Sequence, residues 1–390
     1  MLTRRHLLYL AATSILTRPA WAADWAAIEA EARGQTVYFN AWAGSETINA
    51  YIAWAGEQLA ARHGITLEHV KIADAAEVVR RVRDEVKSGT TQGSVDLVWI
   101  NGENFRAMKA DKLLFGPFSE DLPNYRLVDT EDKPTTLIDF GEGVEGLESP
   151  WGMAQLTFFG DGAKIAKPPM SITELTEFAK ANPGRVSYPA PPDFHGTTFL
   201  KQVLAETIVN PDELFLTVEK DQFTIAAALS FDVLDLLHPH LWRAGKQFPQ
   251  SQAQLKQMLA DGELLMALTF NPNEPANLVA SGVLPATTIA WQHSQGTIGN
   301  THFVAIPINA RAKAAAQVVA NFLLSVEAQA HKADRQIWGD PTVLALSRLS
   351  PPDAALFAGS SLALGAPSIP EPHGSWVPLI EAAWLERYGT

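Results

Sequence analysis

The stretch Val95–Phe105, VDLVWINGENF, decides the fold. Val95, Leu97, Val98 and Ile100 form a short, partly β-branched apolar run without a turn residue inside it. A run this brief reads as a strand buried on both faces, the kind that fills a parallel sheet. It stops at Asn101-Gly102-Glu103-Asn104, and the segment FRAMKADKLL that follows has helical composition. A strand ending in a polar loop that opens a helix delivers side chains and free N–H groups to the carboxyl edge of a sheet, where open α/β sheets bind ligands. The competing reading is that Asn101 and Asn104 only cap the helix.

Upstream, TVYFNAW reads as a strand ending at Ala43-Gly44-Ser45-Glu46, and Ile48, Tyr51, Ile52, Ala55 and Leu59 share one helical stripe after it. Ile65–Ile72 reads as a second strand and Ala75–Val86 as a charged amphipathic helix. Alternation of strand and helix implies right-handed crossovers and a parallel sheet. The loops at Trp42-Ala43-Gly44-Ser45 and Asn101–Asn104 then share one edge.

Downstream, Phe115–Glu148 is punctuated by proline and glycine, and Gln155–Phe159 leaves it as a strand. A second pattern follows: helix Ile172–Ala181 capped by Ser171 or Thr173, strand Arg185–Tyr188, loop Pro189–Gly196 and helix Thr197–Thr207. Helices over Phe223–Trp242 and Gln252–Asp261 lead to strand Leu264–Phe270, which ends in Asn271-Pro272-Asn273-Glu274-Pro275. Ile289–Trp291 and Phe303–Ile306 read as strands of a return crossing; Ala310–Ser325 and Val377–Tyr388 read as helices. The expectation is α/β with two lobes, each a mainly parallel sheet flanked by helices, joined by a hinge. Residues 23–150 make the first lobe, 151–297 the second, 298–345 a return of the first, and 346–390 C-terminal helices of the second.

The N-terminus carries Arg4 and Arg5, the apolar run Leu7–Leu16 and the small-x-small site Ala20-Trp21-Ala22, the plan of a removable export signal over residues 1–22. Thr3-Arg4-Arg5-His6-Leu7-Leu8 resembles a twin-arginine signal. No other run approaches the roughly 18–20 apolar residues of a membrane span. The formal charge of −13 becomes more negative when Arg4, Arg5 and Arg18 leave with the signal, which argues against nucleic acid or anionic lipid as a partner. The absence of cysteine removes disulfides, thiolate metal sites, a Cys nucleophile and a lipid-anchoring cysteine, so free diffusion in a periplasm is expected.

The segments AWAGSETIN, VDLVWINGENF, ESPWGMAQLTF, RVSYPAPPDFHGTTF, MALTFNPNEP, TIGNTHFVAIP, ANFLLSVEAQ and QIWGDPTVL occur in that order. Together they resemble the YnjB-like family of periplasmic solute-binding proteins of ABC transporters. More broadly the chain is similar to type II binding proteins that carry thiamine, polyamines, iron or maltose. The resemblance implies a two-lobed monomer that closes on a small molecule and hands it to an inner-membrane permease with its ATPase. It leaves the solute open. A ligand sensor coupled to a membrane receptor, or an enzyme on the same scaffold, are the alternatives.

Residues at the predicted strand ends and loops supply the candidate site. Trp42, Trp151 and Trp338, with Tyr188 and Phe194, can wall an aromatic slot for an organic cation, against core packing as the other reading. Glu46, Glu103 and Glu274 offer carboxylates, and Asn101, Asn104, Asn271 and Asn300 offer neutral hydrogen-bonding amides. His195 and Gly196 open a helix whose N–H groups can hold an anion, so a zwitterion would reconcile the two charges. No GxSxG, HExxH or P-loop pattern is present, and no motif calls for a cofactor. The iron-binding relatives use neighbouring tyrosines, whereas Tyr188 stands alone; His238-Pro239-His240 is the one weak metal candidate.

Overall fold

Thr36–Trp42 (β1), Thr66–Ile72 (β2) and Leu97–Ile100 (β3) lie in the order β3-β1-β2, all parallel. The register sets Phe39 opposite Leu97 and Asn40 opposite Val98, so the loops after β1 and β3 do emerge at one edge. The strand begins two residues later than its apolar run because the buried Asp96 is engaged as an acceptor. Its carboxylate takes the N–H of Tyr38 at 3.0 Å, of Arg311 at 2.9 Å and of Ala312 at 3.0 Å, tying three chain segments together. The computed structural model describes residues 25–360 and 366–389. The export signal expected over residues 1–22 lies outside them, and among the described residues no helix is long and apolar enough to cross a membrane.

Ile138–Asp139 (β4) and Glu142–Gly143 (β5) form a small hairpin. It packs on the helix Glu103–Ala110, where Lys109 donates to the Gly143 carbonyl at 2.6 Å and Arg106 pairs with Glu142 at 3.3 Å. Glu148–Gln155 (β6) continues through Leu156 into Thr157–Asp161 (β7). Met266–Thr269 (β8), Thr288–Trp291 (β9), Thr297–Ala305 (β10) and Ser368–Pro370 (β11) complete the strands. β10 pairs antiparallel with both β3 and β6 and parallel with β11, completing a six-stranded mixed sheet. β8, β7 and β9 form a second sheet.

Each sheet has its own core. Phe39, Tyr51, Trp151, Val304, Phe322 and Trp338 centre the first; Phe158, Tyr188, Phe199, Leu234, Met266 and Trp384 centre the second. The two-lobed α/β expectation holds at this level, but the second sheet is antiparallel throughout rather than parallel. The reason is topological: the chain leaves the first sheet through β6–β7 and returns through β9–β10, so outgoing and returning strands that pair must oppose. Arg185–Tyr188 does not form the expected strand. Its carbonyls are divided between two unrelated segments, Arg185 accepting from Leu265 at 2.9 Å and Val186 from Trp242 at 2.8 Å. The helix expected over Phe223–Trp242 is two, Lys220–Ala226 and Ala228–Leu237.

Candidate functional site in the interlobe groove

The groove between the lobes is built from four elements. From the first lobe come the start of the helix Glu103–Ala110 and the β4–β5 hairpin; from the second come the helices Phe194–Thr207 and Trp376–Tyr388. The segment following β11 joins them. Gly374 donates to the Phe140 carbonyl at 3.0 Å while His373 donates to the Leu214 carbonyl at 2.7 Å, so this segment holds hairpin and second lobe together.

Lys201 sits at the centre. It belongs to a helix buried along most of its length, and its side chain is 2% exposed. Its ammonium donates to Glu371 Oε2 at 2.5 Å and lies 4.8 Å from the Phe140 ring centroid and 5.4 Å from that of Phe194. Asn300, buried on β10, donates from Nδ2 to the other Glu371 oxygen at 3.3 Å. Glu381 accepts from Thr197 Oγ1 at 2.6 Å. Burial pushes the Glu371 and Glu381 carboxyls up, Lys201 opposes this in both, and the charge of Glu103 across the groove pushes both further. Next to the ion pair a cavity of about 300 Å³ runs between Ile138, Phe140 and Phe215, floored by Gly299, Asn300 and Glu371.

Comparisons with known proteins give the family and the fold. Residues 54–355 match the bacterial extracellular solute-binding protein family. The chain is also 46% identical over 380 residues to Protein YnjB of Escherichia coli strain K12, covering 97% of each. The chain belongs to the bacterial extracellular solute-binding proteins. As a member of that family it is a periplasmic solute-binding component of an ABC importer. In fold it is similar to an extracellular solute-binding protein from Bordetella parapertussis, with a TM-score of 0.66 at 13% identity, covering 90% of this chain and 98% of that one. It is also similar to the spermidine/putrescine-binding PotD of Streptococcus pneumoniae, with a TM-score of 0.63 at 13% identity over 91% and 100% of the two chains.

The sequence candidates divide between groove and interior of this solute-binding protein. Glu103, Phe194 and Asn300 gather around Lys201 and Glu371. Asn101 and Asn104 flank the same helix start, which neither caps: the capping position is Gly102, whose φ of 61° suits glycine, and its N–H goes to Asp139 at 2.6 Å. Asn271 faces the other lobe, donating to the Trp338 carbonyl at 3.4 Å. Trp42 and Glu46 are exposed at the carboxyl edge of β1, with the Trp42 indole folded over Gly44. Among the described residues, no hydrogen bond, ion pair or ring contact joins them to Lys201.

Three aromatic assignments are corrected. Trp151 is fully buried in the first core, 5.0 Å from Trp99 and 5.5 Å from Trp338 between ring centroids. Trp338 is buried beside it, and Lys332, paired with Asp340 at 2.8 Å, lies over both rings. Tyr188 is buried in the second core, its hydroxyl bonded to His238 at 2.7 Å and to the Trp384 indole N–H at 2.8 Å. Such rings pack a lobe and cannot wall a slot open to a solute. The metal candidate His238 is used in that same network, and burial lowers it to about 4. The anion reading at His195 and Gly196 also changes, because Asp193 already accepts from their N–H groups at 2.9 and 3.3 Å. Sequence reasoning missed Lys201, Glu371, Phe140, Glu381 and Asp139. Only Lys201 left a signal: the one basic residue of the helical stretch TTFLKQVLAET, set directly after Phe199 and Leu200.

Proposed function

We propose that this importer component captures an organic cation or zwitterion, such as a thiamine-like compound or a polyamine, in the groove centred on Lys201 and Glu371. The supporting observation is the charge and ring content of that groove. The charge of Glu103 raises the Asp139, Glu371 and Glu381 carboxyls there and that of Glu371 raises Asp139 further, with Lys201 as the central cation and two phenylalanine rings alongside. Carboxylates beside aromatic faces favour ammonium groups. An anionic solute finds fewer donors, since Asp193 occupies the nearby helix N–H groups. The protein acts without chemistry on its solute. Binding shifts the population toward a closed form, and the closed monomer docks on an inner-membrane permease whose ATPase drives uptake.

The test is a thermal-shift screen of residues 23–390 against thiamine and its phosphates, polyamines, amino acids, quaternary amines, sugars and organic anions. A solute at one hundred times its Kd stabilises by about 2.7 kcal/mol. Stabilisation by cations or zwitterions is expected; stabilisation by anions alone would reject the charge assignment.

A further inference from the structure

We propose that the Lys201 ammonium is a tethered stand-in for the ammonium group of the transported solute, and that a primary alkylammonium displaces it from the Glu371–Phe140–Phe194 cage. The inference deepens the cation reading above and rests on it.

The contrast with the protein's other buried lysine motivates it. Lys332 and Asp340 lie wholly within the first lobe, where the Trp151 carbonyl and His302 complete a closed hydrogen-bonded group. That pair belongs to a core. Lys201 instead straddles the groove: Phe140 comes from the first lobe, Phe194 from the second, and Glu371 from the segment joining them. Glu371 is its hydrogen-bond acceptor, and the Phe140 and Phe194 rings flank it. One carboxylate and two ring faces are what recognise a free alkylammonium.

The cage also has an entrance and an annex. Phe194 is 40% exposed although the lysine it covers is not. The cavity of about 300 Å³ shares Phe140 and Glu371 with the cage and runs on to Ile138 and Phe215. The volume is near the lower bound for small-molecule pockets, and its apolar walls suit the carbon body of an amine. A displaced Lys201 has Glu381 nearby as its next carboxylate, since the charge of Lys201 already acts on it. A lysine tethered beside its own site competes at high effective concentration, so a free amine binds wild type weakly unless its body adds contacts.

The experiment compares n-butylammonium with its neutral counterpart 1-butanol by calorimetric titration and thermal shift. The proteins are wild type, Lys201→Met and the double variant Lys201→Met/Glu371→Gln. Lys201→Met should bind n-butylammonium at least about tenfold more tightly than wild type, because the competitor is gone and Glu371 lacks a partner. 1-Butanol should not substitute, and the double variant should lose the gain. Where Lys201→Met is too unstable to purify alone, its refolding yield in n-butylammonium against 1-butanol makes the same distinction. Equal binding by wild type and Lys201→Met overturns the proposal, as does equal rescue by 1-butanol, which would mark simple cavity filling. A cationic hit from the screen that binds both proteins alike would leave the cation reading standing and reject the displacement. A screen yielding anions alone rejects both.

Discussion

Trp151 carries a large share of the first core. Its indole meets Trp99, Trp338 and Phe39, with centroids 5.0 to 6.1 Å apart, and its face receives the Lys332 ammonium at 5.0 Å. Removing a fully buried aromatic side chain costs about 3–5 kcal/mol. Trp151→Ala should therefore destabilise by that amount in urea unfolding while leaving solute affinity of the surviving folded protein within a few fold. A variant of unchanged stability but lost affinity would return Trp151 to the site. The sequence places this tryptophan at a strand end after a Ser-Pro break, which reads as a groove position. Neighbourhood along the chain says nothing about the side of the sheet on which the ring lies.

Among the elements, the helix Phe194–Thr207 matters most because it positions Lys201, Thr197 and Phe194 together. It starts three residues before the expected Thr197, since Asp193 serves as its cap and accepts two of the first N–H groups. Although burial alone would raise it, His195 and those N–H groups hold the Asp193 carboxyl below its usual range. Losing such a cap costs about 1 kcal/mol. Asp193→Ala should destabilise by that amount in denaturant unfolding, and Asp193→Asn should restore most of it. An alanine variant as stable as wild type would show that the cap contributes nothing. The helix itself is legible from its apolar content. Its exact start is not, because PAPPDFHG mixes turn, cap and apolar signals within eight residues.

At the scale of the molecule, two carboxyls lie buried under the groove loop. Asp139 accepts from the Gly102 N–H with one oxygen, while its other oxygen and both oxygens of Glu148 have no hydrogen-bond partner. Burial raises both well above the ordinary range. Gly102 opposes this at Asp139, where Glu103, Glu371 and Glu142 add to it; at Glu148, Asp139 adds to it and Lys109 opposes. A folded state that keeps protons the unfolded chain has released is favoured by acid. The stability from this pair is therefore fully present below the ordinary carboxyl pKa of about 4 and is lost as pH rises through the raised folded values. Glu148→Gln cannot titrate, so its melting temperature should gain on wild type progressively above about pH 4.5. A difference that stays constant across a pH series followed by calorimetry would contradict the buried-acid account.

The sequence by itself determined the local and additive properties of this protein. Strand and helix order in the first lobe, the shared edge of β1 and β3, the acidic charge and the family resemblance all depend on residue type and short-range spacing, which the order of residues preserves. The tertiary structure alone decided which residues meet in the groove. Lys201 and Glu371 are 170 positions apart and meet because Phe194–Thr207 and the segment after β11 pack against each other. Periodicity reports that a side chain faces inward, but not toward which core or groove. Thus Trp151, Trp338 and Tyr188 read as well for a site as for an interior, and a lysine in an apolar helix gave no hint of its carboxylate. Pairing across such distances is set by how the elements pack, and that is a property of the folded chain rather than of any stretch within it.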